Sequence, residues 1–125
     1  MAVDLIIPEK NTPAAYFDFE TSRLYLTGIS LPENPRNTFQ PLVEFVESIP
    51  TLRLPKMDFL IDLKYANSST HKIIFQLLKN LQRIRQTVDI KIYWYVEDED
   101  LREAVKDIKE LLVDLNIHII VAAKA

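Results

Sequence analysis

The sequence predicts a single α/β domain: one mixed β-sheet with three helices packed against it, in the order β-β-α-β-α-β-α-β. Three observations carry this expectation. Segments with the two-residue alternation of strands take turns with segments of helical spacing. Strands separated by helices favour right-handed crossovers and parallel pairing. The 125 residues, 48% hydrophobic and 26% charged, suffice for one real core and show no linker, internal repeat or low-complexity run. Residues 1–125 are therefore read as one domain.

The elements follow in order. Ala15 to Glu20, a turn at Thr21-Ser22, and Arg23 to Gly28 form a β-hairpin. Leu31-Pro32-Glu33-Asn34-Pro35 is irregular, since two prolines preclude strand pairing or a helix interior. Phe39, Leu42, Val43, Val46 and Ile49 then follow helical spacing, with Pro41 placed in the first turn and Pro50 closing the helix. From Met57 to Tyr65 the odd positions are all apolar, which predicts a strand with one buried face.

The second helix puts Ile73, Ile74, Leu77, Leu78, Leu81 and Ile84 on one stripe and Lys72, Gln76, Lys79, Arg83 and Gln86 opposite. A strand from Val88 to Val96 and the acidic run Glu97-Asp98-Glu99-Asp100 lead into the third helix. That helix turns Leu101, Val105, Ile108, Leu111, Leu112 and Leu115 inward, and Asn116 to Val121 is the last strand.

Composition excludes several chemistries. With no cysteine there is no disulfide, thiolate nucleophile or cysteine metal site. A formal net charge of −3 offers no global attraction to nucleic acid or anionic lipid. The start, Met1 to Pro8, lacks a basic n-region and a long apolar h-region, and no apolar stretch approaches bilayer-spanning length, so a cytoplasmic protein is expected. A single glycine cannot build a phosphate-cradling GxxxxGK[ST] or GxGxxG loop.

The acidic run at 97–100 lacks the ligand spacing of a calcium loop, and acids opening a helix complement its dipole, with Asp98 as N-cap. No metal and no cofactor is expected. His71 and His118 share no motif, and no catalytic residues assemble from spacing. Tyr93 and Tyr95 share one strand face while Trp94 points to the other, which fits packing better than a base-stacking platform.

What remains is the junction Asn67-Ser68-Ser69-Thr70, where a strand runs directly into the second helix. The first N–H groups of a helix lack intrahelical partners, and its dipole is positive there. A serine at this point is a natural N-cap, and it is equally well placed to carry a phosphate that a partner reads. We read Ser68 as both: the cap of the unmodified helix, and the switch.

Several short blocks resemble the SiaC family of bacterial regulatory phosphoproteins. Ser30-Leu31-Pro32-Glu33-Asn34 with Pro41-Leu42 is similar to its Ser-x-Pro-Glu-Asn signature, and Thr12-Pro13 precedes Tyr16-Phe17-Asp18 as it does there. Tyr65-Ala66-Asn67-Ser68-Ser69-Thr70 resembles the family's Tyr-x-Asn-Thr-Ser-Ser block, and Trp94-Tyr95 before an acidic stretch matches as well. The resemblance spans roughly residues 12–120.

It implies a STAS-like fold, akin to anti-sigma-factor antagonists, and a partner-switching system. A Ser/Thr kinase of histidine-kinase-like fold would phosphorylate the hydroxyl after the asparagine, and a metal-dependent Ser/Thr phosphatase would remove it. The unphosphorylated form would bind an effector, in the best-known branch a diguanylate cyclase, raising cyclic-di-GMP and promoting biofilm.

The matching hydroxyl is Ser68, where the family usually has threonine; Ser69 and Thr70 are the alternatives. Asn67, Ser69, His71 and Lys72 are then the expected partner-binding residues. A phosphorylation-independent scaffold, or less readily a small enzyme, is the competing reading.

Overall fold

The computed structural model describes residues 1–121. Six strands form one sheet in sequence order: β1 (Ala2–Ile6), β2 (Ala14–Asp18), β3 (Arg23–Ser30), β4 (Lys56–Ala66), β5 (Asp89–Val96) and β6 (Asn116–Val121). The strands β1, β2 and β3 pair antiparallel, and β3 to β6 pair parallel. Helices α1 (Pro35–Ser48), α2 (Ser68–Ile84) and α3 (Glu99–Leu111) make the three parallel crossovers.

The expected mixed sheet, three helices and their order are present, and one strand precedes them. β1 is a short edge strand in which only Ile6 is buried, so alternation marks it weakly in the sequence.

The core lies on one side of the sheet. Phe17, Leu24, Leu26, Phe59, Ile61, Ile92 and Trp94 face the helices and are fully or almost fully buried. The opposite face is open and carries an in-register row, Tyr16, Tyr25, Leu60, Tyr93 and His118. Tyr16 stacks on Tyr25 at 4.7 Å between ring centroids, and Tyr93 on His118 at 5.1 Å. Tyr93 and Tyr95 thus belong to the sheet surface while Trp94 belongs to the core.

Two local expectations are corrected. Pro41 lies inside α1, not in its first turn, because the helix begins at Pro35 behind the cap Asn34, whose Oδ1 accepts from the Asn37 N–H at 3.2 Å. Pro41 and Asn37 are both exposed, so the carbonyl left without a helical donor faces water.

Tyr65 is 67% exposed despite its odd position in β4. The β3–β4 register pairs Gly28 with Leu63 but Ile29 with Tyr65, so Lys64 is an extra residue. This bulge ends the odd-inward phase just before α2 begins. Gly28 has φ +106° at the same point, a conformation that disfavours any side chain. In α3 only Val105 is buried; Leu111 is exposed, while Leu112 and Leu115 reach the core from the turn after the helix.

Candidate functional site: the start of the second helix

β4 delivers the chain to α2 through a single residue, Asn67. Asn67 is the N-cap, with extended backbone (φ −86°, ψ 173°). Its Oδ1 accepts the Thr70 N–H at 3.0 Å, the Ser69 hydroxyl at 2.8 Å and the Thr70 hydroxyl at 2.8 Å. Ser68 therefore does not cap the helix; the asparagine side chain one residue earlier already satisfies the first-turn donor that a capping serine would take. Ser68 is the first helical residue and is exposed.

The three adjacent hydroxyls have unlike surroundings. Thr70 is fully buried, 2.7 Å from the Ser30 Oγ and 3.2 Å from the Ser30 carbonyl. Each hydroxyl has one proton, so Thr70 donating to Asn67 leaves Ser30 donating to Thr70. The Asn67 N–H also donates to the Ser30 carbonyl, at 3.1 Å. The end of β3 and the start of α2 are thus tied by two hydrogen bonds, Ser30 hydroxyl to Thr70 and Asn67 N–H to the Ser30 carbonyl. Ser69 is half-buried and bonded to the cap, and Ser68 alone of the three is exposed.

The expected partner-binding residues divide around the helix. Ser69 and Lys72 line a groove of about 450 Å³ between α1 and α2. His71 is half-buried on the other flank, in a cavity of about 260 Å³ with Tyr65, Trp94, Asp98 and Leu101. Burial lowers its pKa from the ordinary 6.5, so the ring is neutral at pH 7. Asn67 sits between the two flanks as the cap. Asp98 caps α3, its Oδ1 accepting from Leu101 N–H at 2.8 Å, with Glu99 and Asp100 in the first turn.

Sequence spacing does not reveal the Ser30–Thr70 contact, because its two residues lie 40 positions apart. The one hint is a serine at an inward-facing position closing an apolar strand.

Comparison with known proteins identifies the family. A model of the SiaC family regulatory phosphoproteins matches residues 6–122. The chain belongs to the SiaC family. As a member it is a regulatory protein, not an enzyme.

Its fold is that of apo-SiaC from Pseudomonas aeruginosa, with TM-score 0.79 and 25% identity over 97% of this chain and 99% of the other. SiaC from the same organism, solved in complex with the diguanylate cyclase SiaD that it activates, superposes with TM-score 0.84 at 22% identity, over 96% and 99% of the two chains. An uncharacterized protein of Pseudomonas aeruginosa strain UCBPP-PA14 is 27% identical over 111 residues, 86% of this chain and 88% of that protein. Among the described residues no helix is long and apolar enough to cross a membrane.

Proposed function

We infer that this SiaC-family protein is a phospho-switch whose acceptor is Ser68 and whose unphosphorylated form binds and activates an effector. The observation that carries this reading is the exposure of Ser68 at the first position of α2, beside two hydroxyls that are already engaged. A kinase must bring the acceptor oxygen in line with a nucleotide phosphate, which a fully buried threonine cannot offer without unfolding the helix start. The likeness to an activator of a diguanylate cyclase makes a cyclase the effector of choice, with cyclic-di-GMP and biofilm formation as output. The opposing enzymes are a Ser/Thr kinase of histidine-kinase-like fold and a metal-dependent Ser/Thr phosphatase.

The physical step is a change of charge at an interface. Phosphorylation adds about −1.5 to −2 charge at a helix N-terminus, where the dipole tolerates it, so the fold survives. An effector covering that position must desolvate the phosphate, at a cost on the order of a thousandfold in affinity.

The test is intact mass with fragment mapping of the protein from its own host, before and after phosphatase, followed by cyclase assays with both forms. One removable phosphate on Ser68, and cyclase stimulation by the dephosphorylated form only, is the expected result. Equal stimulation by both forms would instead make the protein a phosphorylation-independent scaffold.

A further inference from the structure

The groove between α1 and α2 begins at Ser69, the residue after Ser68. Val43 and Ile73, both half-buried, and the buried Phe39 form its floor, and Arg36, Lys72 and Gln76 stand on its rim. The only charged residues lining it are the cations Arg36 and Lys72, and neither has an ion-pair partner among the described residues.

The chain as a whole carries −3, yet from Leu63 to Val88 it has five basic residues and no acid. This segregation makes α2 a cationic face on an acidic protein. Ser69, Ile73, Gln76 and Asn80 line the groove at i, i+4, i+7 and i+11, a seam about 16 Å long. The walls are two helices, which present no strand edge for a β-strand to join.

We propose that this groove seats an amphipathic helix of the effector, its apolar stripe on Val43 and Ile73 and its acidic flanks on Arg36 and Lys72. The proposal rests on the phospho-switch reading and names the chemistry of the partner's contact. It also couples the groove to the switch. Lys72 lies four residues after Ser68 and is its neighbour on the helix surface. A phosphate on Ser68 pairs with Lys72, takes the cation from the partner's carboxylates and repels them.

The probe is a synthetic amphipathic helical peptide of about 15 residues, long enough to span the seam. Its apolar stripe is flanked by glutamates, and it is compared with the same peptide carrying lysines. Both are titrated into the isotopically labelled full chain and followed by amide shifts. The acidic peptide is expected to shift residues lining the groove and the lysine peptide to leave them unmoved. Lys72→Glu or Arg36→Glu, both exposed and safe for folding, should weaken binding at least tenfold, while Lys106→Glu on α3 changes it less than twofold.

Binding of both peptides alike, binding elsewhere, or no binding overturns the proposal. The chain phosphorylated at Ser68 separates the two readings. If it binds the acidic peptide as tightly as the unmodified chain, the groove stands and the switch fails. If the peptide never binds but phosphate still releases the native effector, the switch stands and the groove fails.

Discussion

The Thr70 Oγ1 lies 2.7 Å from the Ser30 Oγ, and both side chains are fully buried. A buried pair of hydroxyls is stabilising only while both are satisfied. Thr70→Val keeps the shape and orphans the Ser30 hydroxyl, so urea unfolding should show a loss of about 1–3 kcal/mol. Replacing both, as Ser30→Ala with Thr70→Val, should cost less than the sum of the single losses. Strict additivity would mean that the two hydroxyls do not depend on each other.

The assignment of the cap to Asn67 distinguishes two neighbouring substitutions. Asn67→Ala removes the acceptor of three donors and should cost about 1–2 kcal/mol in denaturant unfolding. Ser68→Ala removes an exposed hydroxyl that caps nothing and should stay within about 0.5 kcal/mol of the native chain. A defect of Ser68→Ala in effector binding then reports direct contact at the interface, since helix capping is intact.

Gly28 governs the same junction from a distance. At φ +106°, next to the bulge that re-phases β4, Gly28→Ala meets no steric wall nearer than 3.9 Å but must adopt a strained backbone. The expected loss is about 1–3 kcal/mol in thermal or urea unfolding. A Gly28→Ala chain as stable as the native one would show that the local backbone relaxes to negative φ without cost.

How much of this was legible in the sequence follows from which signals are local. The α2 stripe repeats over four turns, and Ile74, Leu77, Leu78 and Leu81 are buried as the spacing predicts. The hairpin and the outward placement of Tyr93 and Tyr95 also follow from alternation alone. β1 escapes because an edge strand with one buried residue has almost no pattern, and α1 starts early because Asn34 and Pro35 make a cap and first turn that resemble a loop. At the site, residue identity points to Ser68, Ser69 and Thr70 alike. The difference among them arises from Ser30, 40 residues away, and from a bulge that no periodicity in β4 announces.

His71 gives the protein a pH dependence of defined sign. Burial lowers its folded-state pKa below the ordinary 6.5, so between these values the unfolded chain binds more protons than the folded one. Stability therefore falls as pH drops through 6.5 and levels off once the folded ring is also protonated. The carboxylates contribute their own slope, so the informative quantity is the native chain minus His71→Gln, measured by thermal unfolding from pH 7.5 to about 5. That difference should narrow on acidification; a difference independent of pH would show that the ring is not desolvated.

The phosphate itself should leave the fold intact and abolish the partner. Ser68 is the first residue of a helix whose first turn contains no acid, and Lys72 follows one turn later. A dianion there gains from the dipole and from the lysine, about 0.3–1 kcal/mol for the dipole alone at an exposed site. Calorimetry of the phosphorylated chain should accordingly show a melting temperature equal to or above that of the unmodified chain, with the excess shrinking in high salt as screening removes it. Binding to the effector should fall on the order of a thousandfold over the same modification. Ser68→Asp, with one charge and a shorter reach toward Lys72, should lie between the two states in affinity. If phosphorylation instead lowered the melting temperature by many degrees, release of the partner would be a consequence of a melted helix start rather than of charge at an intact interface.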